Sequence, residues 1–298
     1  MISNLNLTHK PVLIKSIMRL LDDTWKIEDW SEKVVVDATF GAGGYSNAFI
    51  GRGAKVFAFD QDKSIQKFVQ DTRKIVSDRK SVDKFEFICD NFVNIDKYKQ
   101  IENVDLVIFD LGMSSMQLDS EDRGFSFRFD DSPLDMDMSD SKLDDKSAEY
   151  ILNNYTKKQL ADAFFNYGGE KASYKIADSI IESRPLTTVA DLKTAVQVVS
   201  KHPKSITRIF QAIRIEVNDE INNLWIALNN SVKILGKNGI VLVVDFHSVE
   251  DKYVKFFFKN NKELKPLFKK IMVPDDEEIR HNPRARSAKL RGAIMVNK

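Results

Sequence analysis

Cysteine is almost missing from this chain: Cys89 is the single one in 298 residues. That excludes an intramolecular disulfide and a zinc cluster built on several thiolates, and it suits a reducing compartment. Within FEFIC, Cys89 reads as a small buried hydrophobe. No apolar run approaches bilayer-spanning length. The N-terminal MISNLNLTHKPVL has no basic region followed by an apolar core. Neither a membrane span nor a signal peptide is expected, and the expected address is the cytoplasm. Net charge is nearly absent too, with 45 Lys and Arg against 44 Asp and Glu. A polyanionic partner would have to be met by a local basic surface. The histidines His9, His202, His247 and His281 show no ligand spacing, so no metal site is expected. What is present, 43% hydrophobic and 30% charged residues, describes a soluble globular chain long enough for one large domain or two ordinary ones.

The most informative stretch is Val104 to Met138. It opens as a short apolar run, VDLVIF, too short for a typical helix and rich in β-formers. From Asp110 it becomes polar, aromatic and acidic, punctuated by Gly112, Gly124 and Pro133. Ordering so long an irregular segment is costly, which points to function rather than decoration.

Upstream, Thr8 is placed to cap a helix with Pro11 in its first turn and Leu13, Ile14, Ile17, Met18 and Leu21 along one face. VVVDATFGAGGYSNAFI then predicts a buried strand, a turn through Gly41, Gly43 and Gly44, and a helix starting near Tyr45. KVFAFD ends at Asp60 and FEFICD at Asp90, so with Asp37 and Asp110 four successive strands finish in an aspartate. In a parallel sheet those carboxyl ends share one edge, outside which ligands bind.

Beyond Met138 the pattern turns helical. Capping pairs stand at Thr156 with Gln159 and Thr188 with Asp191, and Gly168-Gly169 stops one helix. The stripe Val217, Ile221, Leu224, Trp225, Leu228, Val232, Leu235 forms a long helix ending at Gly236. GIVLVVDFH restores a strand, residues 249 to 259 read as helix, and LFKKIMV and KLRGAIMV as the last two strands. The expected architecture is α/β: a Rossmann-like, mostly parallel sheet with an inserted small helical domain. Its boundaries fall at 1–113 plus 213–298 for the discontinuous sheet domain and 114–212 for the insertion.

A glycine turn plus an acid ending the second strand fits both NAD and S-adenosylmethionine. Ser46 stands where the dinucleotide fingerprint wants Gly or Ala. Asp37, directly before the turn, suits an amine-bearing cofactor and opposes a pyrophosphate. Asp90, Asn91 and Phe92 offer a hydrogen-bonding edge and a flat face for a purine. These features favour S-adenosylmethionine.

Long blocks in fixed order carry a resemblance over nearly the whole chain: HKPVL, DATFGAGGYS, FDLGMSSMQLD, RGFSFR, SPLDMDM, FQAIRIEVNDE, FHSVEDKYVK and NPRARSAKLR. The chain resembles the 16S ribosomal RNA methyltransferases of the MraW/RsmH type, class I S-adenosylmethionine-dependent enzymes that methylate the exocyclic N4 of a decoding-centre (P-site) cytidine. The resemblance implies that Gly43, Gly44 and Tyr45 hold the methionine end of the cofactor and that Asp60 takes the ribose. It places Phe92 at the adenine, with Asp110 and Gln117 as further contacts. Tyr45 stands where the family usually has His, Met116 where Pro is common, Asp137 replaces the Arg of LDMRM, and Gly169 interrupts YGEE. The implied partner is 16S ribosomal RNA within the small subunit, with no membrane; whether the chain forms a homodimer is left open.

Methyl transfer to an amino nitrogen is an in-line displacement that rewards alignment. Because the cytosine amino lone pair is delocalised, an acceptor for its N–H raises its nucleophilicity. Asp110, or a backbone carbonyl in Leu111–Ser114, on the loop leaving the sheet, is the catalytic candidate; Ser114, Ser115, Asp135 and His247 are lesser ones. A base in structured RNA has to be splayed out, and Phe125, Phe127 and Phe129 are candidates for stacking on it, although their alternation equally fits a short strand. Arg123, Arg128, Arg284, Arg286, Lys289 and Arg291 are the candidate RNA contacts, the last four on a strand with one basic face; Arg208 and Arg214 are possible additions. Two rival readings stay open: a catalytically silent RNA-binding assembly factor, and an NAD-linked oxidoreductase.

Overall fold

The computed structural model describes residues 11–78, 82–139 and 147–296. It divides into two compact units, Met1–Gly112 with Asn223–Lys298, and Met113–Asn222.

The first unit is built on seven strands: β1 (Val34–Asp37), β2 (Lys55–Phe59), β3 (Phe85–Ile88), β4 (Val104–Asp110), β5 (Leu235–Asp245), β6 (Leu264–Pro266) and β7 (Lys289–Met295). They lie in the order β3-β2-β1-β4-β5-β7-β6. The first five are parallel, with Val35 opposite both Val56 and Leu106, and β7 runs antiparallel to β5 and β6. Val35, Val36, Val107, Phe109, Val241 and Val243 are all fully buried. Such near-continuous apolar burial belongs to parallel strands covered on both faces. Leu224, Leu228, Val254, Phe257 and Phe258 pack into the same core from the helices Glu220–Ile234 and Ser248–Asn260. From β1 the chain steps outward through β2 to β3, then returns to β4 on the other side of β1. That reversal opens a crevice at the carboxyl ends of β1 and β4. The fold is therefore a mostly parallel α/β sheet with a topological switch point between β1 and β4.

The second unit holds the helices Ser115–Asp119, Ala148–Asn154, Lys157–Asn166, Ser173–Glu182, Val189–Val199 and Pro203–Asn218. Leu152, Leu160, Phe164, Ile176, Ile180, Leu192 and Ile209 form its own core. The capping boxes at Thr156 with Gln159 and Thr188 with Asp191 are both formed. This unit extends to Asn222 rather than ending at 212, because Ile209, Ala212, Ile213 and Val217 on one helix all pack into its core. Among the described residues, no helix is long and apolar enough to cross a membrane.

Several local expectations are corrected. The first helix starts at Ile14, after Leu13 in a left-handed conformation, so Pro11 stays ahead of it; Thr8 lies outside the described residues. Residues 267–273 are not a strand. The ladder on β7 is made by Leu264–Pro266, and Leu267 N still donates to Gly292 O (2.9 Å), after which the chain bends through the exposed Lys269 and Lys270 and meets β7 in an isolated bridge, Met272 to Leu290. The basic stretch is a strand only from Lys289 onward. Arg284 and Arg286 sit in a short 3₁₀ turn, Pro283–Ser287, entered from the helix Asp276–His281. Phe125, Phe127 and Phe129 lie in irregular chain with no strand pairing.

Candidate cofactor cleft and catalytic edge

At the end of β1, Asp37 is fully buried and accepts bonds from Thr39 N (3.3 Å), Ser46 N (3.2 Å) and Ser46 Oγ (2.6 Å). Burial raises its pKa to about 6 against those bonds, which lower it. Asp37 therefore does not face a ligand, as its position before the glycines suggested. It ties the glycine turn to the start of the helix Gly44–Gly51 from beneath.

The turn itself needs its glycines. Gly43 has φ +76°, and a Cβ there would lie 2.8 Å from the Phe40 ring; at Gly44 a Cβ would lie 2.9 Å from the Pro11 ring. At Gly41 (φ +52°) a Cβ would meet nothing within 4 Å, so this side of the turn is open space against bare backbone. Tyr45 is buried, stacks on Phe49 and donates its hydroxyl to Val12 O at 2.5 Å. Its side chain anchors the segment before the first helix, leaving only its backbone for a ligand.

Asp60, just past β2 and half-buried, accepts Gly41 N (2.8 Å) on one oxygen and Asp62 N (2.9 Å) on the other. Burial raises its pKa to about 6, opposed by these two bonds. Each oxygen keeps a further acceptor site, as a ribose diol requires. Beyond β3, Asp90 accepts from Asn91 N, Asn94 Nδ2 and Tyr98 Oη, which rigidifies the turn carrying Phe92. The half-buried Phe92 ring packs edge-on against Phe109 at 5.7 Å.

Asp110 ends β4. Its backbone N–H donates to Thr39 Oγ1 (2.7 Å), while its Oδ1 is buried without a hydrogen-bond partner. Burial, then repulsion from Asp37 and Glu250, raises its pKa to about 8. Glu250 accepts from Phe246 N and lies 3.1 Å from His247 Nε2; His247 Nδ1 in turn caps the helix Ser248–Asn260. His247 is thus a satisfied capping histidine.

One feature went unassigned from sequence. Asp245, at the end of β5, is fully buried and neither carboxylate oxygen has a hydrogen-bond partner. Burial, with Asp251 and Glu250, raises its pKa to about 8 against the pull of Lys289 and Arg291. It continues the series of strand-terminal aspartates, which was the available signal.

In the second unit, Ser114 caps the helix Ser115–Asp119, and Gln117, 7% exposed, completes that capping box through its side chain. Arg123 is largely buried, 3.8 Å from Asp135 and bonded to Asp137 O. Asp137 itself turns inward and accepts from Ser139 N. Arg128 pairs with Asp119 (2.7 Å), Phe125 is core, and Phe127 is exposed against Phe210. Arg208 pairs with Glu170, and Arg214 with Glu220. In the first unit Lys289 and Arg291 both pair with Asp251, while Arg284 and Arg286 are exposed.

The donor set fits S-adenosylmethionine: an open backbone turn, a half-buried acid with acceptor capacity to spare, a half-exposed ring, and an unpartnered carboxylate oxygen at the switch point of the sheet. Among the described residues the charges acting on Asp110 are the like charges of Asp37 and Glu250, so a positively charged ligand at this edge would be favoured.

Comparison with known proteins follows the same direction. A ribosomal RNA small subunit methyltransferase H of Wolbachia (strain wRi) is 41% identical, covering 96% of this chain and 98% of that protein. The protein of the same name from Thermotoga neapolitana is 38% identical, covering 97% and 96%. An rRNA methylase structure from Streptococcus thermophilus aligns over 97% of this chain and 98% of its own, with a TM-score of 0.46 and 13% identity. The family model described as the MraW methylase family matches residues 6–295. This chain belongs to the MraW methylase family, S-adenosylmethionine-dependent methyltransferases.

Proposed function

We propose that this protein methylates the exocyclic N4 of a decoding-centre cytidine in 16S ribosomal RNA, acting on the small subunit in the cytoplasm. The observation that carries this reading is Asp110: a buried carboxylate oxygen without a partner, at the end of the strand beside the glycine turn. The near full-length match to small-subunit methyltransferases supports RNA as the substrate.

Bound at this edge, S-adenosylmethionine supplies an electrophilic methyl group on a sulfonium. The backbone at Gly43, Gly44 and Tyr45 would hold the methionine end, Asp60 the ribose and Phe92 the adenine face. Asp110 accepts an N–H of the cytosine amine, so the nitrogen lone pair is freed for attack as its proton passes to the carboxylate. Ser114 positions the loop through its cap. The sheet unit serves as the cofactor domain and the helical unit as the substrate domain, with Arg123 and Arg128 shaping the loop and Arg284, Arg286, Lys289 and Arg291 meeting phosphates.

Tritium from labelled S-adenosylmethionine should appear in small-subunit RNA and in no other RNA pool. Binding of RNA without transfer supports a silent assembly factor, and affinity for NADH with none for S-adenosylhomocysteine supports an oxidoreductase. Asp110→Asn should slow transfer by roughly 10²- to 10⁴-fold. Asp110 is the competent acceptor only when ionised, so wild-type kcat/KM, which reports the free enzyme, rises with pH up to about 8, and the rise in kcat falls at lower pH because the cationic cofactor favours the ionised acid. The Asn variant should lose that rise; an unchanged profile assigns the proton elsewhere.

A further inference from the structure

The chain is almost neutral overall, yet between residues 252 and 270 it carries seven lysines against one acid, Glu263. Part of that charge is organised on one helix face. In Ser248–Asn260, the residues Lys252, Lys255, Phe256 and Lys259 follow the i, i+3, i+4, i+7 spacing that puts them on one stripe, and all four are exposed. None of these three lysines is ion-paired among the described residues. The acids of the same helix are withdrawn: Glu250 is buried, and Asp251 is held by Lys289 and Arg291 on β7.

The neighbouring helix Glu220–Ile234 continues the surface. Trp225, 38% exposed, lies 6.2 Å from Phe256, itself 58% exposed, and edge-on to the buried Phe257 at 5.3 Å. One turn on, Asn229 is exposed. The two helices pack side chains into the same core. Together they display lysines, two exposed rings and an amide, with no acid on the stripe. A purely apolar face would fit a second copy of the chain or another protein. Regularly spaced unpaired cations around exposed rings fit a polyanion with stackable bases. Thirteen residues of helix extend about 20 Å, enough for several nucleotides.

We propose that Lys252, Lys255 and Lys259, with Phe256 and Trp225, form a second RNA-docking surface on the outer face of the sheet unit, where unpaired nucleotides stack on the rings while the lysines neutralise phosphates. This rests on the reading of ribosomal RNA as the substrate. It adds a surface built from different residues than those at the catalytic edge.

The test is RNA binding by full-length protein, measured by fluorescence anisotropy on small-subunit RNA across a salt series, for wild type, a Lys252→Ala/Lys255→Ala/Lys259→Ala variant and Phe256→Ala. The triple variant should bind at least about tenfold more weakly and lower the slope of log K against log salt by roughly 2, at about 0.7 per single-strand phosphate. Phe256→Ala should lose roughly tenfold with the slope unchanged. Both should bind S-adenosylhomocysteine like wild type, which shows that the sheet unit is folded. Wild-type RNA affinity and slope in both variants overturn the proposal, as does a self-association that the variants abolish while RNA affinity stays intact. If wild type transfers methyl to RNA and the variants bind normally, this surface alone fails. If wild type transfers none while the variants still lose RNA affinity, the surface stands and the catalytic reading falls.

Discussion

Asp60 works in two directions, and the two are separable by mutation. One oxygen fixes Gly41 N, which shapes the glycine turn, and the other fixes Asp62 N. Asp60→Ala removes the ribose acceptor and the brace of the turn together, so cofactor affinity should fall by at least about tenfold, the worth of one charge-assisted hydrogen bond. Asp60→Asn keeps an acceptor and should recover part of it. Calorimetric titration with S-adenosylhomocysteine checks both, and unchanged affinity in Asp60→Ala removes the ribose assignment. Asp245 is the opposite kind of residue, a buried acid with nothing to hold. Its carboxyl stays protonated in the folded chain up to about pH 8, while the unfolded carboxyl ionises near 3.8, so stability is lost progressively as pH rises between those two values. Asp245→Asn should therefore melt like wild type near pH 3 and progressively higher than wild type from pH 5 to pH 9, as thermal denaturation would read.

At the scale of elements, the glycine turn of the sheet unit and, separately, the loop after Gly124 in the helical unit show how tightly backbone is constrained. A Cβ at Gly124 would lie 2.1 Å from Pro133 O with φ at +66°, so Gly124→Ala should destabilise the helical unit by more than about 3 kcal/mol, a loss measurable by urea unfolding. In the same unit the Arg214–Glu220 pair is bidentate at 2.7 and 2.9 Å, and both side chains are largely buried. Removing the guanidinium alone, as in Arg214→Met, strands a carboxylate and should cost about 3–5 kcal/mol; adding Glu220→Leu should restore much of it. These elements also show what was legible in advance. Buried parallel strands are short apolar runs, and the aspartates that end them mark one edge, so β1 to β5, the cleft and the helical interruption could be read directly. Direction could not: Asp37 and Asp60 look alike as strand-ending acids, yet one turns under the glycine turn and the other stays half exposed. Gln117, its side chain engaged in a capping box, and Arg123, buried beside Asp135, look like free polar groups until their partners are known. The weak strand β6 lies outside the run that looked strand-like because only three residues pair with β7 there.

For the whole molecule, the carboxylates divide by unit, and the division sets opposite responses to pH. Asp37, Asp60, Asp110 and Asp245, all in the sheet unit, have pKa values raised to about 6 or 8, in each case first by burial. A carboxyl whose folded pKa lies above its unfolded value binds more protons when folded. Its contribution is complete below the unfolded value near 3.8 and is lost as pH climbs through the folded one. In the helical unit the shifts run the other way. Asp191 is held down by the amides of Thr187 and Thr188. Burial pushes Glu170 up, but the Ala172 amide, Ser205 and Arg208 outweigh it. Those two contribute above their unfolded values and lose that contribution on acidification. Asp251, lowered by Arg291 and Lys289 against its burial, runs counter to those four in the sheet unit. Since each unit has its own core, their opening can be followed separately. Hydrogen exchange without cofactor should show β1, β4 and β5 better protected at pH 5.5 than at pH 8.5, after correction for intrinsic exchange. Over the same interval the helices Lys157–Asn166 and Val189–Val199 should hold constant, and they should loosen first below about pH 4. Adding S-adenosylmethionine should shrink the loss at pH 8.5, because a cationic ligand at the carboxylate edge favours the ionised acids that otherwise repel one another. Equal protection of the sheet at both pH values would mean that these acids are as well solvated in the folded chain as in the unfolded one.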